Sequence, residues 1–316
     1  MLRAMLRWIA RGLLAVVLLI AFGIAYLWFS NRDIPMAQLE QEYGGDGLQR
    51  LEVDGVNLAY RVSGEGPPVV LIHSHFYTMR QWQTWTDLLS KHFTVIRYDL
   101  TSHGLTGADP SGDYSYDRGV ELLTALLDHL GIETAALVGS STGGAVARRF
   151  AATHRDRVSA LVLINTPGMP RPANPYMEKG MPDWFGYVFY LLPERVFKPF
   201  LASAVADPAI ITDELAHETH RMYRGEGNRW AEFERMSSWQ PSDISAELQL
   251  ISAPTLILWG EDNPQLPVTH AALYREQMTN AASITTVIYP DVGHVIPLEA
   301  AEQSAADPIE FLEQLR

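Results

Sequence analysis

Ser141 is the residue of this sequence best set up to act as a nucleophile. It is the centre of a Gly139-Ser140-Ser141-Thr142-Gly143 pentapeptide, and Gly144 follows. An apolar run, Ala135 to Val138, precedes it, and a helix-like stretch, Ala145 to Ala152, comes after. A serine presented at the top of a sharp strand–turn–helix elbow needs that context. The turn leaves no room for side chains around the serine, so Gly139, Gly143 and Gly144 relieve the crowding. A serine at its ordinary pKa is a poor nucleophile and needs an adjacent base. Among ten histidines, His294 is the best placed, in a Gly293-His294 loop between a predicted strand and the last helix. Such loops, at the carboxyl ends of sheet strands, are where open α/β sheets meet ligands.

The elements that must position this pair follow from the apolar pattern. Leu48 to Val53 and Leu58 to Val62 read as two strands joined at Asp54-Gly55, a hairpin signal. Val69 to Ile72, Thr94 to Tyr98, Ala135 to Val138, Leu161 to Ile164, Thr255 to Trp259 and Ser283 to Tyr289 read as further strands, several apolar enough to be buried on both faces. Helical stretches run from Gln81 to Lys91, from Tyr114 to Leu130 with a stop at Gly131, and from Leu298 to Leu315 with Pro308 inside. This alternation predicts an α/β fold: a mainly parallel sheet of eight strands with helices on both faces. The rhythm breaks at 167–250, a stretch rich in Pro and aromatics with no strand-like run, which reads as a helical cap or lid. The expected organisation is an N-terminal segment 1–30, a linker 31–46, a core of 47–166 and 251–316, and the cap 167–250.

Composition narrows the function classes. The net charge of −13 argues against nucleic acid, because neutralising phosphates takes clustered Lys and Arg. The chain has no cysteine, which excludes a thiol nucleophile, a disulfide framework and a thiolate metal site. Gly12 to Phe29 carries no charge and is long enough to span a membrane. Trp8, Tyr26 and Trp28 sit near its ends, as interfacial aromatics do. Arg3, Arg7 and Arg11 precede it, so an uncleaved anchor would leave the N-terminus in the cytoplasm and the rest outside. A signal peptide cleaved near Gly23-Ile24-Ala25 is the rival. The expected partners are membrane lipid, through this helix, and a small apolar ester.

From about residue 48 onward the chain resembles α/β-hydrolases of the cap-bearing esterase and lactonase-like group. The resemblance rests on Val70-Leu71-Ile72-His73-Ser74-His75-Phe76, Arg97 to Gly104, Leu137 to Gly144, Leu258 to Pro264 and Gly293-His294, in that order. It implies ester hydrolysis through an acyl-enzyme, with no metal or organic cofactor. A C–C bond hydrolase, a lactonase or a catalytically weak ligand-binding relative would share the same residues. Oxyanion donors are implied at the backbone of Thr142 and of His75, or Phe76 if the loop shifts by one. Each such donor supplies about 2.7–4 kcal/mol to the transition state.

The sequence departs from that pattern at three places. Ser74 stands where the family has glycine, which the fold tolerates only if the position avoids positive φ. Thr101-Ser102-His103-Gly104 replaces the more usual loop, and His103 reads as structural. The family's acid position falls on Asn263, one residue after Asp262. An asparagine can orient an imidazole but cannot stabilise the imidazolium by charge. The expectation is a loop shift that makes Asp262 the acid, with Asn263 as the alternative. Asn165, after the strand before the cap, is the other family position and is also neutral; Asp291 reads as a turn residue. His217-Glu218-Thr219-His220 places its histidines three apart rather than four, so it is not a zinc motif of the His-Glu-x-x-His type. Trp184 to Leu192 reads as cap core or as an apolar pocket wall.

Overall fold

The computed structural model describes residues 1–170, 181–238 and 243–316. Helix α1, Leu2–Ser30, comes first and stands clear of the rest along most of its length. The sheet then builds from β1 (Gln49–Val53), β2 (Val56–Ser63), β3 (Pro68–Ile72) and β4 (Thr94–Tyr98). It continues with β5 (Ala135–Ser140), β6 (Val158–Ile164), β7 (Thr255–Gly260) and β8 (Ile284–Tyr289). The spatial order is β1-β2-β4-β3-β5-β6-β7-β8. The β1–β2 and β2–β4 pairs are antiparallel and all later pairs are parallel. The hairpin turn between β1 and β2 has φ of 50° at Asp54 and 83° at Gly55, the double positive φ that a two-residue hairpin loop requires.

The central strands are apolar on both faces because helices cover both. Leu137, Leu161, Leu163, Ile257 and Trp259 face one side with Leu123, Val146 and Phe150. Ala136, Val138, Val162, Ile164, Leu256 and Leu258 face the other with Trp82, Trp85 and Phe311. Each fully buried side chain of this size stabilises the fold by roughly 1.5–3 kcal/mol. The covering helices are α2 (Gln83–Leu89), α3 (Tyr116–His129) and α4 (Thr142–Thr153). Ser115 caps α3 by accepting from the Arg118 N–H, and Gly131, at φ 66°, follows its end.

Between β6 and β7 the chain leaves the sheet and forms a cap. It contains a 3₁₀ segment, Asp183–Leu191, then α5 (Glu194–Ala202), α6 (Asp213–Tyr223) and α7 (Asn228–Ser238). Its own core joins Phe189, Phe197, Leu201, Tyr223 and Phe233 to Tyr77 and Val295 of the catalytic layer. The aromatic run therefore divides: Phe189 packs inward, while Trp184 and Tyr187 are exposed. After the cap, α8 (Thr269–Gln277) and α9 (Ala301–Glu313) complete the fold. Pro308 lies inside α9, and the break falls earlier, at Ala300, which separates the short Ile296–Glu299 turn from it.

The segment after α1 differs from the expected linker. Ile34 pairs with Gly225 of the cap, and Leu39 is fully buried against Met79, Leu105 and Met222. Asp33 forms a salt bridge with the buried Arg229 of α7. Apolar residues spaced among polar ones over so few positions look like a loop until their partners are known.

Candidate active site

Strand β5 ends at Ser140, and Ser141 turns the chain into α4 with φ 52° and ψ −116°. That conformation is costly for a non-glycine residue and persists only where its surroundings impose it. The surroundings do so by close approach. A β-carbon at Gly143 would overlap the Ile72 carbonyl oxygen, and one at Gly139 would overlap the Gly143 backbone. The Ser141 N–H donates to the Ile164 carbonyl at 2.8 Å, which ties the elbow to β6.

His294 meets this serine. Its Nε2 lies 2.9 Å from Ser141 Oγ, and both residues are buried. The loop carrying it is held from several sides. Glu299 accepts N–H bonds from Gly293 at 2.7 Å and from Val295 at 2.8 Å. Asn165 Nδ2 donates to the carbonyls of Gly293 and His294, while its Oδ1 accepts from the Gly260 N–H. Asn165 thus fixes the backbone of the histidine loop rather than the imidazole. Asp291, with φ 56°, is exposed in the turn before it.

The expected loop shift toward Asp262 does not occur. Asn263 is the buried residue whose Oδ1 lies 3.2 Å from His294 Nδ1, and Asp262 is exposed on the neighbouring position. The register is set by the Asp262 N–H on the Val292 carbonyl and by Asn263 Oδ1, which also accepts from the N–H groups of Gln265 and Leu266. Three donors converge on that oxygen, so the amide is oriented oxygen-first. Its Nδ2, in consequence, is buried with no hydrogen-bond partner among the described residues. An acceptor that receives three N–H bonds and leaves an idle amino group occupies a pocket that suits a carboxylate.

The donor side of the site lies across the elbow. Thr142 is the first residue of α4, so its N–H has no intrahelical acceptor. The loop after β3 forms a turn closed by the Tyr77 N–H on the Ser74 carbonyl at 3.2 Å, with His75 and Phe76 at its tip. The positive φ in this loop falls on Phe76, at 65°, and not on Ser74. That explains how serine replaces glycine. Ser74 Oγ donates to Ser140 Oγ at 2.8 Å, and the Ser74 N–H donates to Gln81 Oε1 at 3.0 Å. Beneath the turn, burial lowers the pKa of His73 to about 4, so the ring is neutral: Nδ1–H meets the Ser74 carbonyl and Nε2 accepts from the Leu100 N–H. A cleft of about 520 Å³ opens beside Thr142, lined in part by Leu100, His103, Tyr116, Val146 and Arg235.

Three contributors to this site lay outside the sequence reading. Glu299 has no motif to announce it. Glu232 and Arg235 of α7 reach His75 from the cap, 157 and 160 residues away in the chain, without any local pattern. Among the described residues, His75, His103 and Glu232 also offer ligand atoms within 4.8 Å of one another. The Arg235 guanidinium already bonds both His75 Nε2 and Glu232 there, supplying the positive charge that a metal would bring. His217 and His220, by contrast, turn to Glu194 and to the Leu192 carbonyl.

Comparison with known proteins agrees with the fold. The chain is 30% identical over 277 residues to a Pseudomonas putida dihydrolipoyllysine-residue acetyltransferase component of an acetoin cleaving system, covering 85% of this chain and 70% of that one. A putative lipase from Acinetobacter baumannii AYE superposes with a TM-score of 0.73 at 24% identity, over 90% of this chain and 97% of the other. A membrane phospholipase A superposes with a TM-score of 0.71 at 24% identity, over 97% of this chain and 99% of the other. The sequence profile of the alpha/beta hydrolase fold matches residues 67–301, and the chain belongs to that family.

Proposed function

We propose that the protein hydrolyses a carboxylic ester bearing an apolar group, through an acyl-enzyme on Ser141. The observation that carries this reading is the 2.9 Å contact between Ser141 Oγ and His294 Nε2 at a strained elbow. His294 Nδ1–H donates to Asn263, which fixes the tautomer and leaves Nε2 bare toward the serine. Ser141 Oγ attacks the carbonyl carbon as Nε2 takes its proton. The N–H groups of Thr142 and His75 hold the resulting oxyanion. Collapse expels the alcohol, which takes the proton from His294. Water then attacks the acyl-enzyme by the same route, releasing the acid and restoring Ser141. No step calls on a cofactor.

Substrate class and location rest on the cap and α1. Met5–Ser30 is long and apolar enough to cross a membrane. At its end Trp28 stacks on Tyr190 at 5.3 Å and lies 6.2 Å from Tyr187, both in the cap. Trp184 and Phe200 are exposed on the same cap. An anchor that ends against aromatic cap residues supports a catalytic domain resting on the membrane and an ester with an acyl chain as substrate, and Arg3, Arg7 and Arg11 before the anchor favour the side outside the cytoplasm. The neutral Asn263 favours a second reading, a slow or ligand-binding relative.

Labelling of the full-length protein with a fluorophosphonate probe separates the two. Labelling that vanishes in Ser141→Ala supports the hydrolase, and a series of ester chain lengths then defines the acyl group. A folded wild-type protein that takes no label favours the ligand-binding reading.

A further inference from the structure

We infer that Glu232 and Arg235 of the cap are positioning residues for the oxyanion hole, acting through the His75 ring; the inference rests on the ester-hydrolase reading above. His75 is a residue of the core whose side chain is held by the cap. Its Nε2 lies 2.8 Å from Arg235 Nη2 and 3.0 Å from Glu232 Oε1, and Nη2 also donates to Oε1 at 2.9 Å. One guanidinium nitrogen therefore serves both acceptors, which explains their closeness.

The proton order along this chain is fixed from its far end. His103 Nδ1 lies 2.9 Å from the Thr101 carbonyl, an oxygen that can only accept, so Nδ1 carries hydrogen. Burial, with His75 and His73 alongside, holds the His103 pKa well below its ordinary value, so its Nε2 is bare. His75 Nδ1 stands 3.0 Å from that nitrogen and donates to it. His75 is itself kept neutral, chiefly by burial and then by Arg235, with Glu232 opposing. Its Nε2 accepts from Arg235. Thr101, His103, His75 and Arg235 thus form one directional series, and Glu232 balances the guanidinium. Burial works against the Glu232 charge, yet the Arg235 guanidinium, donating to both carboxylate oxygens, holds its pKa below the usual carboxylate range.

A second grip acts on the next residue. Phe76, at its positive φ, packs edge-on to Phe200 at 4.7 Å and also meets Phe197 and Tyr223. Both residues at the tip of the oxyanion turn are therefore held by the cap, one by polar contacts and one by aromatic contacts. The peptide N–H between Ser74 and His75 has its direction set by those side chains. A cap out of place would leave Ser141 and His294 intact but misaim one oxyanion donor.

The test uses full-length protein in detergent micelles, with p-nitrophenyl butyrate and a fluorophosphonate probe. Rates are expressed per site that the probe titrates. Glu232→Gln is expected to lower kcat by about tenfold or more, a fraction of the loss on deleting a whole oxyanion donor. KM is expected to stay within about twofold and phosphonylation to slow in parallel, because the lost interaction belongs to the transition state. His75→Gln keeps the backbone N–H but loses the ring; it should match that loss, and the double variant should be no slower than either single one. Arg235→Lys should give a smaller loss of the same kind, and it decides the matter if Glu232→Gln fails to fold. Unchanged kcat per titrated site, or losses that multiply in the double variant, would overturn the positioning role while leaving the hydrolase reading in place. Wild-type protein that neither labels nor turns over would overturn both.

Discussion

The nucleophile elbow and the acid loop face the same imidazole but are built to different tolerances. At the elbow, backbone meets backbone: β-carbons at Gly139 and Gly143 would overlap main-chain atoms of Gly143 and Ile72. At the acid loop, a single side-chain oxygen accepts from His294, Gln265 and Leu266, and the Asn263 Nδ2 beside it has no hydrogen-bond partner among the described residues. The first region dictates residue type through volume. The second asks only for an acceptor, so more than one residue satisfies the fold. Chemistry, not packing, distinguishes asparagine from aspartate there.

The largest expected effect is at the elbow. Ser141→Ala should reduce ester hydrolysis and probe labelling to background with Tm nearly unchanged; hydrolysis that persists would place the nucleophile elsewhere. Gly143→Ala should cost about 4 kcal/mol or more, since no flexible side chain can yield to the new methyl. Thermal unfolding measures it, and a soluble variant with wild-type Tm would break the comparison from the packing side. At the acid loop the sign reverses. Asn263→Asp should raise kcat, by tenfold or more and at most by about 10⁴, the loss known for the reverse change in a full triad. Asp262→Asn should stay within about twofold. A silent Asn263→Asp beside a crippled Asp262→Asn would restore Asp262 as the working acid.

A separate expected effect is a pH dependence beneath the turn that follows β3. Burial raises the Asp99 pKa to about 6, with the N–H groups of Met79 and Leu105 partly offsetting it. Its contribution to stability is therefore fully present below the unfolded value and is lost as pH rises through about 6, a span worth about 3 kcal/mol. The lowered pKa of His73 acts oppositely: its contribution is present above 6.5 and lost as pH falls through about 4. The two slopes oppose each other between those values. Asp99→Asn removes one, so the variant's Tm should climb more steeply than the wild type's from pH 4 toward pH 6. Parallel curves would show that Asp99 does not titrate in that window.

The same distinction between packing and chemistry explains what was legible in the sequence. The strands could be read because parallel strands covered on both faces are continuous apolar runs, as in Val69 to Ile72. The Asp54-Gly55 turn could be read because few residues adopt its φ values. The segment 31–46 could not, since Leu39 and Ile34 become buried only through contacts with the cap and core. Asp262 drew the expectation because carboxylates usually fill that role, and one residue of register reverses which side chain points inward.

By itself the sequence determined the fold class and its eight strands, and it put Ser141 and His294 forward as candidates. All of these follow from local constraints, namely tight turns, apolar runs and loop positions, that hold whatever the distant chain does. Tertiary structure alone decided that Asn263 faces the imidazole, that Asn165 and Glu299 clamp the histidine loop, and that Glu232 and Arg235 reach His75. These are relations between side chains far apart in sequence. Their geometry depends on where β7 ends and where the cap comes to rest, which no local pattern encodes.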